Sequence, residues 1–109
     1  GMLSETLIGL FRLVTQIVPT IPEVGEMVFK YGPLTGCRPL SAYLDHLNEQ
    51  GILDVDDTEY AAQLLMEMVK ARLHLQAILV PSNPPNPVEV DQHISRAIAV
   101  FLKAYKPEK

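Results

Sequence analysis

The sequence predicts an all-α domain built as a bundle of five helices. Apolar residues recur at intervals of three and four in segment after segment, with no convincing strand alternation. Each segment is bounded by proline, glycine or a helix-capping residue. The longest, Thr58 to Val80, contains neither Gly nor Pro, and its apolar residues cover far more than one side of a helix.

The first helix is capped by Ser4 and presents Leu7, Leu10, Phe11, Val14 and Val18 on one side before Pro19 ends it. Thr20-Ile21-Pro22-Glu23 then spells a Thr-x-x-Glu capping box with proline in the first turn. A short second helix carrying Val24, Met27 and Val28 follows and stops at Gly32-Pro33. The third carries Leu40, Tyr43, Leu44 and Leu47 and closes at Gly51, a residue suited to the left-handed conformation that ends helices. Pro39 leaves two readings of its start: near Arg38, or earlier with a kink at the proline. Asp56 and Asp57 open the fourth helix, and both fit as caps, with Asp56 to Glu59 also matching a capping box. Pro81 to Pro87 reads as a stiff, non-helical bridge to the last helix.

At about 100° per residue, the long fourth helix gathers Glu59, Gln63, Glu67, Lys70 and His74 on one narrow polar stripe. The apolar remainder divides into two seams. One runs Ala61, Leu65, Met68, Arg72, Leu75, Leu79, and the other Ala62, Met66, Val69, Leu73, Val80. A helix with two seams needs two packing partners. The last helix repeats the first pattern with Val90, Ile94, Ala97, Phe101 and Ala104 at spacings of four, three, four and three. Two adjacent antiparallel helices with matching seams form half of a four-helix bundle, which the same pair from a second chain completes. A symmetric homodimer is therefore expected, with Arg72 as the polar residue in the interface.

Composition narrows the function. With 109 residues, 48% apolar and 20% charged, the chain suits one compact domain. Its net charge is −4 and its nine Lys and Arg are scattered, apart from Lys103, Lys106 and Lys109 at the tail, which makes it a poor nucleic-acid binder by itself. No apolar run approaches the ~18–20 residues that cross a bilayer, and no basic-then-apolar leader opens the chain. A lone Cys37 forms no internal disulfide, so a cytoplasmic home is expected, and Gly1 before Met2 reads as the remnant of an expression tag.

The sequence offers no catalytic constellation, so an enzyme is not expected. His46, His74 and His93 are far apart and none has a ligand at metal-binding helical spacing, so neither a metal nor a cofactor is expected. The acidic run Asp54, Asp56, Asp57, Glu59 lacks the glycine and distal glutamate of a calcium loop and instead opposes the positive end of a helix dipole. Phe11, Met27, Tyr31, Tyr43 and Met66 are candidates to line an apolar cavity among the first four helices, although an ordinary core has the same composition. Arg72 and Gln76 read either as ligand anchors or as polar contacts of the dimer interface.

The runs LFRLVTQIVPTIPEVGEMVFKYGP, LSAYLDHLNEQGILDVDDTEYAAQLLMEMVKARL and VEVDQHISRAIAVFLKAYKP, taken in order, resemble the C-terminal domain of TetR-type transcriptional regulators, the AefR-like subgroup above all. The IPE after the first helix, the GILDVDD turn feeding EYAAQLL and the closing AIAVFLKAY carry most of the likeness, which spans Leu7 to Pro107. Pro39 within the third helix and Thr58 where proline commonly follows the cap depart from it. The resemblance implies a domain that binds a small apolar or amphipathic effector and dimerises through its last two helices, here Asp57 to Val80 and Val88 to Tyr105. It also implies a DNA-reading head before this domain, absent from these 109 residues. The alternative reading is a stand-alone helical module for protein association, with a filled core and no ligand.

Overall fold

The computed structural model describes residues 2–17, 38–79, 82 and 86–108, and within them four helices and no strand. These are α1 (Met2–Ile17), α2 (Arg38–Glu49), α3 (Thr58–Leu79) and α4 (Pro87–Tyr105). The short helix expected after Thr20 lies outside the described residues, so the fifth helix of the expected bundle has no counterpart among them.

α1 begins at Met2, not behind a Ser4 cap. Met2 and Leu3 are themselves good helix formers, and Ser4 sits exposed inside the first turn. Thr6, Leu10 and Val14, stacked four apart, form its buried line, with Leu7, Phe11, Leu13 and Ile17 partly buried beside it. α2 is described from Arg38, with Pro39 in the first turn, where a missing N–H breaks no intrahelical bond. Its inner line is Leu40, Leu44 and Leu47.

The end of α2 follows from Gly51, whose φ of 72° no β-carbon opposes. Gly51 N donates to Asn48 O and Ile52 N to Leu47 O, each at 3.0 Å, the paired bonds that satisfy the last carbonyls of a helix. Beyond it, Leu53 and Val55 point into the core while Asp54 and Asp56 stay exposed. The Asn48 carboxamide holds this segment in both directions: Nδ2 donates to Val55 O at 2.8 Å and Val55 N donates to Oδ1 at 2.9 Å. Asp57 then takes the cap of α3, accepting from Tyr60 N at 3.0 Å, while Asp56 accepts from Asp57 N. Thr58 Oγ1 donates to Asp45 Oδ1 at 2.7 Å and so ties the first turn of α3 to α2. Removing the Asn48 amide leaves both backbone groups of buried Val55 without their partner. Asn48→Ala is therefore expected to cost about 1–3 kcal/mol in urea unfolding.

α4 starts one residue earlier than expected. Asn86 is its cap, accepting from Glu89 N at 2.9 Å, and Pro87 belongs to the first turn, not to the proline bridge. It ends at Tyr105, with extended backbone at Lys106 before Pro107.

α1 packs against α2 and α4, and α3 also packs against α2 and α4, so the four helices close a ring around one core. Phe101, Leu10, Leu40, Leu44, Leu65, Ile94 and Ile98 are its fully buried bulk. α3 and α4 run antiparallel: Asp54 N, before α3, donates to Tyr105 O at 2.8 Å. The Tyr105 ring leans on Phe101 with centroids 4.9 Å apart. Burial, followed by the nearby Asp56, Tyr60 and Asp57, pushes the Tyr105 phenol above its ordinary 10.0. No helix among the described residues is long and apolar enough to cross a membrane.

Candidate functional site

Two features expected from the sequence need placing in this frame, a dimer face and an effector cavity. On α3 the chain's own core takes Ala61, Ala62, Leu65, Met66 and Val69, which come from both sequence seams. On α4 it takes Ile94, Ala97 and Phe101 from the seam matched to them. Leu65 at 0% exposure, Ile94 at 1% and Phe101 at 2% have no surface left to offer a partner. Met68 and Val90 are half-buried, and Arg72 and Ala104 are exposed. Leu75 and Leu79 lie on the last turns of α3, where side chains are outside the described residues. A four-three spacing marks the contact line of a helix but not the molecule that covers it.

Of the large apolar side chains left exposed, Ile8 on α1 and Val88 at the start of α4 stand apart, and the others lie next to this seam. Tyr60 is 59% exposed, Leu64 37% and Val100 59%. Tyr60, Leu64, Met68 and Ala71 recur at four, four and three and so share one stripe of α3. His93 of α4 approaches the same stretch of α3, with Nε2 3.0 Å from Met68 O and 3.1 Å from Val69 O. On α4, His93, Val100 and Ala104 fall within about 40° of arc. Both stripes therefore border the α3–α4 seam on its outer side, and the antiparallel register brings Tyr60 level with Val100. Charge lies beside them: exposed Arg72 and Arg96, and the Glu67–Lys70 ion pair at 3.0 Å. Tyr60, Leu64 and Val100 were not singled out from the sequence, because an apolar residue beside a seam carries no mark of being outside it.

Of the candidate effector residues, Met27 and Tyr31 lie outside the described residues. Tyr43 is half-buried between α2 and α1, its ring stacked beside His46 with centroids 6.3 Å apart. Its hydroxyl occupies the place a β-carbon on Gly9 would take, and Tyr43 Cζ would be 2.9 Å from that carbon. Phe11, two positions from Gly9, points about 200° around α1 and so occupies the opposite flank. Met66 is 5% exposed within the core. Phe11 and Tyr43 thus lie on different sides of α1.

A glycine inside a helical pattern was the signal for this close approach, and the sequence reading passed over it. In an open helix Gly9→Ala would stabilise by about 1 kcal/mol. Here that gain is expected only after Tyr43→Ala has cleared the space, a non-additivity that thermal melts of the two single variants and the double variant measure. No cluster of three or more His, Cys, Asp or Glu suited to a metal is present among the described residues.

Comparison with known proteins settles the family. The model of the AefR-like transcriptional repressor C-terminal domain matches residues 1–107. Among solved structures, the fold is similar to that of the flavonoid-responsive regulator FrrA, with a TM-score of 0.64 and 23% identity over 90% of this chain. It is also similar to a regulator assigned to the TetR family from Mesorhizobium loti, with a TM-score of 0.64 and 20% identity over 84% of the chain. The chain spans about half of each, 50% and 46% of their lengths respectively. No curated protein matches it. A match that runs from the first residue of α1 to beyond the end of α4, on an all-helical fold shared with TetR-type structures, places this chain in the AefR-like family of TetR regulator C-terminal domains.

Proposed function

We propose that this chain is the effector-binding and dimerisation domain of a transcriptional repressor, and that it dimerises through the outer face of α3 and α4. The observation that carries the reading is the apolar stripe left uncovered there, Tyr60, Leu64 and Val100 with half-buried Met68. Flanked by charged residues, these side chains have the composition of an interface core inside a polar rim. A two-fold axis across the seam would set α3 and α4 against the same pair in a second copy and complete a four-helix bundle. Of the sequence-derived interface, Met68, Arg72, Val90 and Ala104 remain as contacts, and Tyr60, Leu64 and Val100 replace the residues that the chain's own core has taken.

The effector reading rests on less. One structural relative is described as flavonoid-responsive, and Tyr43 stands half-buried at the α1–α2 contact with a phenol able to donate or accept. An apolar or amphipathic effector bound on that flank would favour one dimer geometry over another and so change the affinity of a preceding DNA-reading head. Sedimentation equilibrium of the 109-residue chain tests the first half. A dimer at micromolar concentration is expected, and a monomer at all concentrations removes the reading. Thermal melts with planar aromatic and amphipathic compounds test the second, since a ligand selective for the native state raises Tm.

A further inference from the structure

Among the described residues, the α3–α4 contact includes a polar link of a different kind from the apolar packing around it. His93 Nε2 faces two acceptors, Met68 O at 3.0 Å and Val69 O at 3.1 Å. It therefore carries the proton and donates to both carbonyls. Each of these carbonyls also accepts within α3 from the N–H four residues on and has a second lone pair free for the imidazole.

Packed apolar side chains leave two helices some freedom to slide or rotate past one another. Shifts of 1–2 Å, and jumps of a full turn in more drastic cases, are known routes of conformational change, roughly speaking, in helical proteins. An N–H held between two successive backbone carbonyls loses its geometry under either motion, because hydrogen bonds weaken steeply off-axis. Met68, one of the two residues so held, is also part of the outer stripe with Tyr60, Leu64 and Ala71. Any rotation of α3 about its axis would carry that stripe away from Val100.

We propose that His93 is the positioning residue of the dimer face. Its bridging N–H fixes the rotation and axial register of α3 against α4, and thereby sets the geometry in which a second copy docks. The proposal rests on the dimer reading above, and the experiment separates the two. His93→Leu removes the donor and keeps an apolar side chain in place, whereas His93→Gln keeps an N–H donor of similar reach. Both are compared with the parent by circular dichroism, by sedimentation equilibrium and by pulsed dipolar distances between spin labels on Gln92→Cys in a Cys37→Ser background. With helicity retained, His93→Leu is expected to weaken the dimer about tenfold, the equivalent of one hydrogen bond, and to broaden the label distances. His93→Gln is expected to restore both.

If the parent is dimeric and His93→Leu matches it in affinity and distance, or if His93→Gln behaves as His93→Leu does, the positioning role is overturned while the dimer stands. A monomeric parent overturns both. Should His93→Leu lose its helical spectrum, His93→Asn, whose shorter amide cannot span both carbonyls, is read in its place by the same criteria.

Discussion

Leu65→Glu is expected to unfold the domain, and Leu64→Glu, one position earlier, to leave it folded and monomeric. Leu65 has no exposure, and a carboxylate in its place would be buried in a hydrophobic cluster. The penalty for such a charge is several kcal/mol, about the size of the 5–15 kcal/mol that holds a typical domain together. Leu64 is 37% exposed, so its glutamate reaches water in the single chain and meets low dielectric only when a second copy arrives. In the proposed dimer both copies would carry the charge at the shared face, and a loss of about 100-fold or more in association is expected from desolvation and mutual repulsion. Circular dichroism melts and sedimentation equilibrium of the two variants decide the matter. A folded Leu65→Glu, or a Leu64→Glu that dimerises as the parent does, would show that the two faces of α3 have been assigned the wrong way round.

The second large effect is expected at Phe101. Its ring is 2% exposed on α4, in contact with Tyr105 and surrounded by the aliphatic core. Truncation to alanine removes the buried ring and leaves a cavity that the ring of four helices can only partly close, at a cost of about 3–5 kcal/mol. The neighbouring Val100→Ala is expected to change stability by less than about 0.5 kcal/mol while weakening association, since Val100 is 59% exposed. Urea unfolding of both at low protein concentration, where the monomer is the species that unfolds, gives the comparison directly. Similar costs at the two positions would contradict the burial of one and the exposure of the other.

The contrast between Leu64 and Leu65 also shows what the sequence could and could not disclose. Features set by a few adjacent residues were readable: Gly51 at the end of α2, Asp57 among the two caps offered for α3, and the buried lines of Leu40, Leu44 and Leu47 or Leu10 and Val14. Ser4 failed because a cap motif competes with good helix formers before it, and Pro87 because proline signals a break and a first turn alike.

The division of α3 into seams found its contact lines but not that the chain's own core draws on both of them. Ala61, Leu65 and Val69 came from two seams and share one core, and the outer stripe lies on the flank of the first seam away from the second, sharing Met68 with it. Those assignments depend on where α2 and α4 lie, and spacing along a single helix does not encode that. The same limit hid His93, which reads as an isolated surface histidine until α3 is placed beside it. It also scattered the candidate cavity, because Phe11 and Tyr43 share a composition and not a side of α1.

The clamp that Asn48 makes on Val55, with Thr58 on Asp45 and Ile52 on Leu47, spans few residues of chain. Closing so short a loop costs little entropy, whereas docking α1 on α4 must first bring together segments some eighty residues apart, roughly the whole chain. The order of assembly follows from this difference. α2, its glycine turn and the start of α3 can form as a unit early in folding, and α4 and α1 close over it afterwards. Asn48→Ala is then expected to act mainly by slowing folding, and truncations on α1 mainly by speeding unfolding, which the two arms of their chevron plots measure. The hairpin around Gly51 is thus the part of the domain with the least chain entropy to overcome.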